Sequence, residues 1–476
     1  MASRKDQLQS HQFSAQRMVS ALVTRESDPE QPPFKRPTNS AVWSVVIAVL
    51  ALAVVGVYGL VVPGGSKAWS GGDAVIVEKE TGTRYVYVAG HLHPVANYTS
   101  ALLALGKYGE TRRVSRKSLR GVPRGPRIGI PDAPDALPSK DRLLTGGWTQ
   151  CSQPALDPTG ARTSESVLMI GQQPSGGQPT GERAMLVEVM ETGDRYLISK
   201  GYRHQIEKSD PAAMVGLALR SESWTKVGAA FVAALPDGER IAPIKPAGIG
   251  RPSKAIADRP RTLIGQLFVV KTSSGGVQYY LAGKDRLIPI SELQYDIQTA
   301  YKPMAAAYGG KAPRAIELGL VSVGQAAPPA SGPETGRAPR SRPEFVAPRD
   351  GLGTVCAAFT PGSAVPSISI DPQLPPRDEA TMTPRRGPMG TALADRVLVP
   401  PGTAAVIEAM PSDRAPAGTI SVVTDLGRSY PLAEPDVLAI LGYSGVTPVK
   451  VPALLVSRIP QGSGLNPAAA TRAATQ

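Results

Sequence analysis

The hydrophobic pattern changes sharply along the chain, and its longest apolar run comes early. From Pro37 to Ser66 no residue is charged, and Ala41–Val62 is apolar on every side of a helical wheel. Twenty-two residues at about 1.5 Å each reach about 33 Å, enough for a hydrocarbon layer of about 30 Å. A buried core helix would carry a polar stripe, and a cleavable secretory signal would have a shorter apolar run behind a shorter lead. The pattern therefore predicts one transmembrane helix over 41–62. Trp43 and Tyr58 stand near its two ends, where amphipathic rings favour the interfaces. Lys35 and Arg36 precede it and only Lys67 follows closely, so the positive-inside rule places the N-terminus in the cytoplasm and the bulk of the chain outside.

Ahead of the span, residues 1–40 form a cytoplasmic lead. Leu8, Ala15, Met18 and Leu22 recur on one face of a helix, and Pro29, Pro32 and Pro33 end it. Few cations line the polar face, which favours docking on a partner over lying on lipid. Leu8, Phe13, Arg17, Met18 and Leu22 are the candidate docking residues; a plain surface helix is the alternative.

Beyond the span the apolar positions fall into short β-rich runs. Four segments, from Ala74, Ala184, Leu267 and Ile420, share one order: β-rich run, turn, β-rich run, polar or proline break, short helix. Thr81-Gly82, Thr192-Gly193-Asp194, Gly275-Gly276 and Leu426-Gly427 supply the turns. The helices at Thr99–Leu105 and Asp436–Leu441 end at Gly106 and Gly442, as glycine C-caps do. Units this small need a shared body or neighbouring copies to dock on. The expected organisation is repeat domain 1 at 63–117 and an extended segment with the first part of a β-rich core at 118–183. Repeat domains 2 and 3 follow at 184–262 and 263–323. Mobile loops with the second part of the core occupy 324–417, repeat domain 4 lies at 418–460, and a disordered tail covers 461–476.

Charge and cysteine content sharpen this picture. A formal charge of +13 can attract nucleic acid, anionic headgroups or acidic wall polymers. Outside a membrane nucleic acid is not an expected partner, and the arginine-rich Thr111–Arg120 reads first as a solvated face. The two cysteines, Cys151 and Cys356, both follow the span and read as one long-range disulfide in an oxidising compartment; two buried free thiols are the alternative.

Catalytic signatures are missing. No GxxxxGK[ST] loop, GxSxG or HExxH motif occurs. Gly171–Gly177 lacks the lysine of a phosphate loop. The four histidines, His11, His91, His93 and His204, have no clustered Cys, Asp or Glu around them, so neither a metal nor another cofactor is expected.

Several stretches together resemble the EccB family, the single-span core component of type VII (ESX) secretion systems in actinobacteria. They are the lead SRKDQLQSHQFSAQRMVSALV, the PFKRP junction, the span, HPVANYTSALLALG, and LRGVPRGPRIGIPDAPDALP followed by Trp148 and Cys151. The resemblance implies an α+β protein: one N-terminal transmembrane helix, then an elongated extracytoplasmic region. Four small hairpin-helix repeat domains would surround a β-rich core in quasi-twofold fashion, with a Cys151–Cys356 disulfide. It also implies a secretion complex with EccC, EccD and EccE, self-association, and motor docking through the lead, with Gln7–Val23 as the docking helix. ATP hydrolysis is attributed to that family, although no site for it is recognisable here. The repeat domains look like a phage-lysin wall-binding module, so peptidoglycan contact is a secondary expectation.

Overall fold

The computed structural model describes residues 3–23, 25, 35–61, 67–208, 211–273, 275–323, 336–412 and 414–474. The chain divides into two units. One is Met1–Gly71 with Val77–Gly82 and Arg112–Val122; the other is Gly72–Ile76 with Thr83–Thr111 and Pro123–Gln476.

In the first unit the lead forms α1 (Arg4–Val23) and the apolar run forms α2 (Lys35–Val61). Within α2, Asn39–Val57 has a mean hydropathy of 2.5 and is wholly unburied. The helix begins ahead of the apolar run because Pro37 lies in its first turn, where a missing N–H costs nothing. Past the helix a 3-10 turn at Ala68–Gly71 carries Trp69, which is 2% exposed.

Four sheets of four strands repeat one topology. The first holds β1 (Ala74–Glu78), β2 (Arg84–Val88), β3 (His91–Pro94) and, after α3 (Tyr98–Leu105), β4 (Glu110–Val114). Between the first and second sheets run β5 (Trp148–Leu156), β6 (Arg162–Ile170) and β7 (Gln178–Pro179). The second sheet comprises β8 (Met185–Val189), β9 (Arg195–Ser199), β10 (Tyr202–Gln205) and, after α4 (Ala212–Gly216), β11 (Thr225–Val227); α5 (Ala229–Ala234) follows. The third comprises β12 (Leu267–Lys271), β13 (Val277–Ala282), β14 (Leu287–Ile290) and, after α6 (Glu292–Ala300), β15 (Ala315–Glu317). Then come β16 (Val355–Phe359), β17 (Ser367–Ile370) and β18 (Arg396–Leu398). The fourth sheet holds β19 (Ala404–Met410), β20 (Thr419–Thr424), β21 (Ser429–Pro431) and, after α7 (Val437–Ile440), β22 (Val449–Pro452); α8 (Ala453–Val456) and α9 (Pro467–Ala470) close the chain.

The strand orders are β3-β2-β1-β4, β10-β9-β8-β11, β14-β13-β12-β15 and β21-β20-β19-β22. Each repeat is a three-stranded meander whose helix leads to a fourth strand beside the first; in the pairings β11 to β8, β15 to β12 and β22 to β19 that strand runs parallel to the first. A parallel return needs a crossover, and the helix supplies it. In α3 the Asn97 side chain accepts from Ser100 N–H, and Gly106 caps the other end at φ 67°.

A fifth sheet, β18-β6-β5-β16-β17-β7, forms the core. One of its faces, with Trp148, Leu168, Ile170, Ala357 and Phe359, packs against apolar residues of the second and fourth sheets, among them Val187 and Ile407, and of α5 and α8, among them Phe231 and Leu455. The second and third repeats meet through Leu186, Leu217, Leu281 and Ile297. The fourth repeat meets α3 and its neighbours through Leu103, Ile130, Tyr430 and Ala470. The α+β class with one apolar N-terminal helix and several small sheets thus holds.

Three expectations are corrected. The fourth repeat starts one strand earlier than Ile420: β19 pairs with β20 from Ala404↔Thr424 to Ala409↔Thr419, so Leu426-Gly427 is the second turn of the meander and not the first. The slip arises because the loop between β19 and β20 is long and rich in proline and glycine, whereas the next turn looks like a hairpin. Within 324–417, residues 324–335 and 413 lie outside the described residues, but 336–412 carry β16 to β19 and are largely ordered structure. The supposed tail is folded as far as residue 474: Leu465 and Ala470 are fully buried, and Ala473 bridges Ile128. Apolar side chains at those two positions explain why the tail packs, despite a composition that suggested otherwise.

The folded tail exposes a recurrent motif. Pro123-Arg124-Gly125-Pro126-Arg127-Ile128, Pro236-Asp237-Gly238-Glu239-Arg240-Ile241 and Pro460-Gln461-Gly462-Ser463-Gly464-Leu465 each lie parallel along the third strand of a meander. The bridges are Leu92↔Arg124 with Val95↔Ile128, Arg203↔Asp237 with Ile206↔Ile241, and Ser429↔Gln461 with Leu432↔Leu465. In each, the proline carbonyl accepts from the third strand, and the glycine N–H donates back to it. The glycines lie under a ring: a Cβ on Gly125, Gly238 or Gly462 would overlap His93, His204 or Tyr430.

Candidate functional site

The candidate features are an anchor, a docking helix and a clamped core. On α1, Leu8, Met18 and Leu22 are exposed, Leu22 at 84%, and at about 100° per residue they share a face with Ala15. Phe13 and Arg17 lie towards the opposite side, with the guanidinium carbon 5.8 Å from the ring centroid. The docking set is therefore split between an aliphatic face and a separate Arg-aromatic pair. On α2, Trp43 is exposed at 65%, as an interfacial anchor must be. Lys35, Arg36 and Tyr58 belong to the same helix, but their side chains lie outside the described residues. Sequence reasoning missed Trp69: its indole N–H donates to Ser118 Oγ at 2.9 Å, joining the segment that follows α2 to the arginine-rich segment. A lone tryptophan after the apolar run was the only available signal.

Cys151 and Cys356 lie directly opposite each other in the β5–β16 register and are bonded, with Cα atoms 4.1 Å apart and a sequence separation of 205. The bond faces Val167, Met169 and Leu398. Closing so long a loop stabilises by about 5 kcal/mol in the chain-entropy account. Further along the same face, Glu165 accepts from Gln153 Nε2 at 2.6 Å and lies 3.7 Å from the buried Arg396 guanidinium, which also donates to the Pro376 carbonyl at 2.8 Å. Asp395, next to it, accepts from Ser166 N–H; burial holds its carboxyl above the usual range, and the bond from Ser166 and the charge of Arg385 work the other way.

Two concavities stand out among the described residues. One, of about 310 Å³, is lined by Glu188, Gly193, Arg195, Ile206, Glu207, Lys208 and Met214. Its cations are already engaged, Arg195 with Glu188 at 3.0 Å and Lys208 with Asp194 at 2.9 Å. Burial works to raise the Glu188 carboxyl, but the bonds from Lys226 and Arg195 outweigh it and hold it low. The other, of about 580 Å³, is mainly apolar and lies beside Leu156, Met190 and Leu352. Among the described residues no three His, Cys, Asp or Glu converge as a metal site. His91 and His93 have ring centroids 6.3 Å apart; His91 is exposed, and His93 donates through Nδ1 to the Pro126 carbonyl.

Comparison with known proteins extends along the chain. The family described as Type VII secretion system ESX-1, transport TM domain B matches residues 1–475. The ESX-2 secretion system ATPase EccB2 of Mycobacterium tuberculosis is 29% identical over 318 residues, which cover 66% of this chain but only 61% of that relative. The ESX-3 secretion system ATPase EccB3 of Mycolicibacterium smegmatis is 26% identical over 493 residues, covering 97% of this chain and 89% of its own. Among solved structures, a chain of an intact ESX-5 inner membrane complex superposes with a TM-score of 0.60 at 22% identity, covering 100% of this chain and 96% of its own. A chain of the EccB3 dimer from the ESX-3 core complex gives 0.58 at 24% identity, covering 84% and 100%. These likenesses establish the shared fold.

Proposed function

Because this chain belongs to the family described as Type VII secretion system ESX-1, transport TM domain B, we propose that it is a structural membrane subunit of a type VII secretion complex. The observation that carries this reading is the wholly unburied apolar helix Asn39–Val57 joined to a body clamped by a disulfide. Hydrocarbon is the solvent such a helix fits. The flanking charges and the oxidised Cys151–Cys356 pair both support an N-terminus in the cytoplasm and a body outside it.

On this reading α1 holds a motor subunit, EccC, through Leu8, Met18 and Leu22, while the outer body assembles with EccD, EccE and further copies of the chain. Relatives solved as a dimer and within an inner membrane complex favour assembly. Although the relatives carry ATPase in their names, we read this chain as non-catalytic. Its sequence has no phosphate loop, and the cations of the polar concavity are tied to carboxylates. Deleting residues 1–36 should release the motor from complexes purified through the C-terminus while the outer subunits stay bound. Unchanged recovery of the motor would rule out the docking role.

A further inference from the structure

Thr111–Arg120 reads in sequence as a solvated face; the fold bonds it to Trp69, eight residues past the end of α2. Trp69 is buried against Ser118 and bonded to it, and Ser118 and Leu119 are themselves buried. Between the end of α2 at Val61 and the turn at Ala68 lie six residues. Their contour length is at most about 25 Å. Whatever Trp69 holds is therefore tethered close to the lipid surface. It holds a basic stretch. The parts of the first unit beyond the anchor carry seven Lys or Arg against Glu78 and Glu80. Lys67, Lys79, Arg113, Arg116, Lys117 and Arg120 are all exposed.

We propose that this cationic surface, pinned by Trp69, binds the anionic phospholipid headgroups of the leaflet from which α2 emerges. The inference rests on α2 crossing the bilayer, and does not depend on the direction of crossing. The screening length of about 8 Å at physiological salt is shorter than the tether but comparable to the step from a phosphate layer to an adjoining side chain, so attraction acts once the tether brings the surface down. The sequence position of these charges also fits. Five of them, Arg112, Arg113, Arg116, Lys117 and Arg120, lie about 50 residues or more beyond the span, outside the window of about 15–20 residues in which cations set orientation. Folding can thus return a cluster of cations to the leaflet from which α2 emerges without reversing the topology. Arg116 has a second duty, its Nε lying 2.7 Å from the buried Glu78 carboxylate, so Arg113, Lys117 and Arg120 are the cleaner probes.

The test uses the full chain in nanodiscs of phosphatidylcholine alone or with about a third phosphatidylglycerol, and follows acetylation of Lys117 by mass spectrometry. A single cation near an anionic surface counts for about a factor of five in occupancy. Acetylation of Lys117 should accordingly slow by about fivefold in the anionic discs, and the slowing should vanish in about 1 M salt and in the double variant Arg113→Gln/Arg120→Gln. Equal rates in both lipids in an inserted chain would overturn the inference and leave the anchor reading intact. Failure of the chain to insert would overturn both. Equal protection by free phosphate, or protection by purified peptidoglycan with none from anionic discs, would assign the surface to another ligand and overturn it as well.

Discussion

At the residue scale, three rings and three glycines close three of the four meanders. Gly125, Gly238 and Gly462 are not required by a left-handed backbone, since none appears among the positive-φ residues; they are required because His93, His204 and Tyr430 occupy the space of a side chain. Gly238→Ala must displace a ring that is 1% exposed, and the overpacking should cost about 1–3 kcal/mol, read as a lowered thermal midpoint. An unchanged midpoint would mean that the ring can swing aside. The same histidine gives a pH signature. Burial holds folded His204 below the ordinary imidazole range, against the opposing pull of the Glu239 carbonyl that its Nδ1 donates to at 2.8 Å. With the folded value below the unfolded one, the stability it contributes is complete above about pH 6.5 and is lost as pH falls through the folded value. Denaturation at about pH 7.5 and about pH 5.5 should show a drop that His204→Gln reduces; an identical drop in the variant would assign it to other groups.

At the element scale, legibility followed the range of the interactions. The α2 span needed only a count of apolar residues, and the end of the α3 helix announced itself through Gly106, so both were visible in sequence, whereas the Asn97 cap came only with the structure. The first two strands of three repeats were visible too, because local turns separate them. The fourth strands were not. β11 and β15 are three residues each and are defined by parallel pairing to a strand more than thirty residues earlier, which no local pattern encodes. The Pro-x-Gly-x-x-Ile/Leu motif was present in the letters but not sufficient: Pro388-Met389-Gly390-Thr391-Ala392-Leu393 also fits it, yet Ala392 bridges Arg386 in a local hairpin. Composition misled at the C-terminus, where glycine and alanine suggested disorder while Leu465 supplied the anchor. Deleting residues 461–476 should therefore cost on the order of 3 kcal/mol, from exposure of Leu465 and Ala470 and their neighbours. A truncated chain with the original unfolding midpoint would show that the packed tail is dispensable.

At the scale of the whole molecule, the Cys151–Cys356 bond ties together two halves of the core sheet that come from distant parts of the chain, and the second and fourth repeats pack on that sheet's other face. Such an arrangement suits a scaffold: its polar concavity is internally paired, and its distinctive surfaces are the apolar helix, the lead and the basic segment. The account depends above all on the chain crossing the membrane once, with its body on the outer side. A membrane-impermeant amine label applied to intact spheroplasts tests this most directly, because Lys5 lies in α1 whereas the exposed Lys302 and Lys450 belong to the body. Lys302 and Lys450 should react in intact spheroplasts, and Lys5 only after permeabilisation; labelling of Lys5 in intact spheroplasts with protection of Lys302 and Lys450 would contradict the account.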